Sequence, residues 1–158
     1  MSLPLALDGV LDRLVLLERK ALPDAKNAVR YEVYVQHNVP YWTNRVGNWQ
    51  KASGSGSTAL WIVTIHPRLV MGHLTEGYEG TNQSQGPLLI AQAVEYFDVH
   101  NHLIDLDDEA TSDPVRWLAP EPIRIGGGRT GYSAIAKTTQ HVAELDLTVT
   151  LAVSYGGI

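Results

Sequence analysis

The closing stretch of the chain restricts the fold more than any other segment. Ala143, Leu145, Leu147, Val149, Leu151, Val153 and Tyr155 alternate with Glu144, Asp146, Thr148, Thr150, Ala152 and Ser154. A period of two sends neighbouring side chains to opposite faces, so this is a long antiparallel-type strand with one covered face and one more polar face. At 158 residues, a single folded domain is about 40 Å across, and a strand of this length is itself roughly 40 Å long. The strand must therefore cross the domain, bend, or project toward a neighbour. Residues 133–140 are expected to belong to the same hairpin.

The remaining periodicities are shorter. Residues 5–22 form an amphipathic helix, because Leu7, Val10, Leu11, Leu14, Val15 and Leu22 recur at three- and four-residue steps, with Pro4 in the first turn and Pro23 as the stop. Val29, Tyr31, Val33 and Val35 alternate with Arg30, Glu32 and Gln36, which predicts a half-buried strand over 29–36. A second strand is predicted over 59–72, bent at Pro67. The stretches 37–58 and 73–86 are expected to be long inter-strand loops, the first rich in aromatics and ending in Ser53-Gly54-Ser55-Gly56-Ser57. Pro87 is expected to open a helix running to about 103, and residues 115–125 to form a strand broken by Pro120 and Pro122. The glycines at 126–128 are expected to sit in a flexible hairpin loop. Helix, strand, strand, helix, strand, strand, without regular βαβ alternation, is the signature of an α+β fold. The expectation is one domain over 1–158, a mostly antiparallel sheet packed by two helices.

Composition narrows the chemistry. Without cysteine there is no thiolate metal site and no Cys nucleophile, and 12 Lys+Arg against 17 Asp+Glu offers no diffuse basic field for phosphate backbones. No run approaches the ~20 apolar residues of a membrane span, and the first residues lack a signal-peptide pattern, so a soluble chain is expected. His100-Asn101-His102 beside Asp98 and Asp105 is the densest group of metal-type residues. Imidazoles at i and i+2 point apart on a helix, however, and helix-end histidines account for them more simply. The acidic run 105–113 lacks the glycine and terminal glutamate of a calcium loop, and the glycines before Arg129 lack the Lys-Ser/Thr ending of a phosphate loop. No catalytic residues, metal ligands or cofactor are assigned. The remaining signals concern surfaces. Tyr41, Trp42, Trp49, Tyr78, Arg129, Tyr155 and Ile158 are the candidate protein-contact residues. Tryptophans in a long loop either meet a partner or fold back on their own domain, and both alternatives stand for Trp42 and Trp49.

The N-terminal amphipathic helix, the Val29-Arg30-Tyr31-Glu32-Val33-Tyr34-Val35 strand, the helix carrying Glu95-Tyr96-Phe97 and the closing Ala143-Glu144-Leu145-Asp146-Leu147-Thr148-Val149-Thr150 strand together resemble the tail terminator (tail completion, head–tail joining) proteins of long-tailed bacteriophages. The resemblance implies a non-enzymatic virion protein of the tail or neck, assembled in the host cytoplasm. It implies a homo-oligomer, a hexameric ring on the finished tail tube, touching the tail tube protein below and the head–tail connector protein above. Genomic DNA would pass through its lumen without specific binding, and no membrane would be involved. The alternatives are another neck or head-completion adaptor, and a small metal-dependent enzyme or ligand-binding domain using His66, His73 or His100.

Overall fold

A computed structural model describes residues 2–25, 27–31, 39–55, 57–73, 79–110, 113–135 and 137–154. Helix α1 (Leu3–Ala21) leads to a two-residue strand β1 (Asn27–Ala28), then to the long hairpin of β2 (Tyr41–Ser55) and β3 (Thr58–His73). Helix α2 (Glu79–Val99), a 3-10 turn (Ile104–Leu106) and a one-turn helix α3 (Val115–Leu118) precede a second hairpin, β4 (Arg124–Ile135) and β5 (Thr138–Ser154). The strands form one five-stranded sheet in the order β1-β2-β3-β5-β4, antiparallel except for the β1–β2 pair. The expected α+β architecture is therefore the observed one.

The closing strand is placed at the centre of this sheet. β5 runs between β3 and β4, from Gln140 opposite Ser133 and His73 to Ser154 opposite Thr58. Ala143, Leu145, Leu147, Val149, Leu151 and Val153 are all buried, and the first five join Val63, Ile65, Leu69 and Trp42 in the main core cluster. The helices cover this face: Leu11, Leu14 and Leu17 of α1 and Ala93 and Phe97 of α2 belong to the same cluster. Trp42 packs its ring 5.9 Å from that of Phe97. Leu103 is buried although its backbone is left-handed (φ 60°), a conformation that costs a non-glycine residue on the order of 1 kcal/mol and persists because the turn around it is fixed by packing.

Several expectations are corrected. Most of the loop expected over 37–58 is strand, since Tyr41–Ser55 is a 15-residue strand whose last residue, Ser55, faces Thr58 of β3. Its pattern is hard to read because one face carries polar side chains and register shifts after Val46 and after Lys51 break the period of two. α2 begins at Glu79, inside the expected loop 73–86, and holds Pro87 within it instead of starting there; it stops at Val99. Residues 115–118 are helical, and the strand begins only at Arg124, beyond both prolines. The glycines at 126–128 lie inside β4, with a register shift between Ile125 and Gly127. Pro67 does not bend β3 out of the sheet. Pairing with β5 skips His66 and Pro67 and resumes unshifted, Ile65 opposite Leu147 and Arg68 opposite Glu144. Of the strand expected over 29–36, Val29 donates its N–H to the Trp42 carbonyl at 3.0 Å, Arg30 and Tyr31 form a bend, and the rest lies outside the described residues. Among the described residues, no helix is long and apolar enough to cross a membrane.

Candidate functional site

The sheet has two faces, and the helices occupy one. On the other face Glu144 of β5 stands opposite Arg68 of β3 and Arg129 of β4. The residue is 3% exposed and accepts hydrogen bonds from three arginines. Arg68 donates Nε and Nη2 to Oε2, at 3.2 and 3.1 Å. Arg45 of β2 donates to Oε1 at 3.2 Å, and Arg129 donates to the same oxygen. Burial alone would push the Glu144 carboxyl up, but the Arg68 hydrogen bonds and the charges of Arg68, Arg129 and Arg45 outweigh it and hold the group below the usual glutamate range.

Beside this cluster, His66 Nδ1 lies 2.7 Å from Asp146 Oδ1. Gly47 of β2 lies against the His66 ring, where a Cβ would sit 2.8 Å from His66 Nε2 and the ring would have to shift. His66, Glu144 and Asp146 bring ligand-type atoms within 4.8 Å of one another. This donor set fits a cation poorly, because both Glu144 oxygens already accept from guanidiniums and three positive charges surround the would-be ion. A notch of about 240 Å³ opens next to it, lined by Arg68, Arg129, Ser133, Val142 and Glu144 among others. The same face holds a small second core cluster, Tyr41, Val70, Ile135 and Val142, which contains no helical residue.

The candidate contact residues fall in different places. Tyr41 and Trp42 are 0% exposed, so they are internal side chains of this fold and not surface ones. Trp49 is 42% exposed on the outer half of β2. Arg129 lies on the sheet face opposite the helices with a side chain 71% exposed. Tyr78, Tyr155 and Ile158 lie outside the described residues. No family model matches the chain, and no curated protein is recognisable as a relative.

The histidine group at the end of α2 assembles as helix-end contacts. His100 Nδ1 meets the Asp105 carboxylate, and its ring stacks 4.3 Å from that of Tyr96. The acidic run is anchored from within: Asp107 accepts from Arg13 Nε at 2.9 Å and from the Val115 N–H at 3.0 Å. Arg13, fully buried in α1, also donates to the Gly9 carbonyl at 2.9 Å and the Asp113 carbonyl at 2.7 Å. Neither this arginine nor the arginine–glutamate cluster was legible in the sequence, because their partners lie tens of residues away and no local period marks them. The one available signal, a charged residue inside an apolar pattern, marks Arg13 and Glu18 on the helix but not Glu144, which falls on the polar side of its strand's alternation.

Proposed function

We propose that this chain is a ring-forming structural subunit of a bacteriophage neck, acting as a tail terminator: it caps the tail tube and presents a surface to the head connector. The observation that carries this reading is the sheet face opposite the helices. It is built around an ordered charged cluster, and no helix packs on it among the described residues. Such a face is suited to contact between subunits, where charged groups set register and partner choice. The N-terminal helix, the helix carrying Glu95-Tyr96-Phe97 and the long closing strand are the elements that support the phage-family resemblance. The arrangement asks no catalytic group of the subunit, and DNA passes through the ring unread.

The test is size-exclusion chromatography with light scattering on the purified chain, followed by electron microscopy with and without tail tubes. Rings that seat on tube ends are expected. A chain that stays monomeric even with tail tubes present overturns the proposal.

A further inference from the structure

We propose that the arginine face of the sheet docks the acidic end of α2 of a second copy of this chain, in a head-to-tail contact. This inference rests on the ring reading and names the surfaces that would make the ring.

Charge is divided between the two sides of the molecule. On the sheet face opposite the helices Arg45, Arg68 and Arg129 are set against Glu144 and Asp146, so these three cations outnumber the two carboxylates. Arg45 and Arg129 have side chains 42% and 71% exposed, which leaves part of each guanidinium fork turned to solvent. The notch of about 240 Å³ between Arg68 and Arg129 has room for an incoming carboxylate.

On the helix side, the last turn of α2 and the segment after it carry exposed Asp98, Asp105 and Asp108 around two exposed aliphatics, Val99 at 72% and Ile104 at 59%. Asp98 and Asp108 have no ion-pair partner among the described residues. The turn that presents them is held in place: Arg13 grips Asp107, and buried Leu103 keeps its left-handed backbone. A fixed, acid-rimmed apolar patch is an interface element that pays little ordering entropy on docking.

The placement of the patches decides the symmetry. The arginine cluster lies on one face of the sheet and α2 covers the other, so a single contact joins the arginines of one copy to the acids of the next and is heterologous. Repeated, it closes into a ring when its rotation is a whole fraction of a turn and otherwise extends as a filament.

Sedimentation velocity on the full chain tests this with two double variants, R45E/R129E and D98K/D108K, each checked for a native circular-dichroism spectrum. Assembly of each alone is expected to weaken by at least about tenfold, and wild-type assembly to weaken between ~50 mM and ~500 mM salt. An equimolar mixture of the two is expected to assemble, because the reversed faces now complement each other. If either double variant fails to fold, R45Q/R129Q or D98N/D108N replaces it and must weaken assembly in the same direction. Wild-type rings with both variants unimpaired overturn this inference while leaving the ring reading intact, as does a mixture that fails to recover. Binding of inorganic phosphate to the notch with assembly unaffected by R45E/R129E makes it a small-anion site and also overturns the proposal. A wild-type monomer at every concentration overturns both readings.

Discussion

Two glutamates show how one residue type acquires opposite roles from its surroundings. Glu144 is nearly buried but meets three guanidiniums, so its carboxylate form is favoured in the folded protein. Its folded pKa lies below its unfolded one, so its contribution is complete above the ordinary value of about 4.5 and is lost as pH falls through the folded value. Glu144→Gln is expected to destabilise the fold at neutral pH by about 2–4 kcal/mol, since it leaves arginines without their acceptor. Denaturant melts at pH 7 and pH 3 check this: the gap between variant and wild type should shrink in acid. Glu18 is the reverse case. It is fully buried in α1, and burial drives its carboxyl well above 4.5, opposed only in part by Asn44 and Arg19. Neither its oxygens nor Asn44 Oδ1 has a partner within hydrogen-bond distance among the described residues. A raised folded pKa means stability present below the unfolded value and lost as pH rises toward the folded one. Glu18→Gln is expected to raise the melting temperature at pH 8 more than at pH 5, with a gain of about 1 kcal/mol or more at the higher pH.

Among the elements, β2 marks the boundary of what local pattern conveys. β5 and α1 were legible because each keeps one period over its whole length. β2 alternates too, but Thr43 and Arg45 face the charged side, Trp42 and Val46 the core, and two register shifts reset the count before the Gly/Ser tip. A strand whose outer face is polar and whose period is interrupted looks like a loop when only its sequence is read. The same hairpin separates its tryptophans. Trp42, in the core against Phe97, is expected to cost about 3–5 kcal/mol on truncation to alanine. Trp49, 42% exposed beyond the first register shift, is expected to cost no more than about 1 kcal/mol in the isolated subunit. Thermal unfolding of Trp42→Ala and Trp49→Ala measures both, and equal losses would contradict this account. The candidate site was less visible than the fold. Of its arginines the sequence singled out only Arg129, because a cluster drawn from several strands exists only once their registers are known.

For the whole molecule, the consequence of one helix-covered face is an uneven distribution of protection. Among the described residues β3 and β5 have strands on both sides, whereas β4 has a strand on one side and β2 is flanked on its outer side only at Tyr41 and Trp42. Amide hydrogen exchange on the subunit is expected to be slowest in residues 60–70 and 142–151 and faster along 124–135. Assembly through strand edges would slow that outer strand as well, so the comparison of free and assembled protein distinguishes edge contacts from face contacts. The arginine–glutamate cluster has one further implication for this sheet. Arg45, Arg68, Glu144 and Arg129 come one each from β2, β3, β5 and β4, so a single carboxylate ties every long strand to its neighbours. A strand that slipped by two residues would keep its in–out pattern and most of its ladder, and would be hard for burial alone to reject. It would, however, carry its charge away from that carboxylate, so the cluster serves as an alignment pin for the whole sheet.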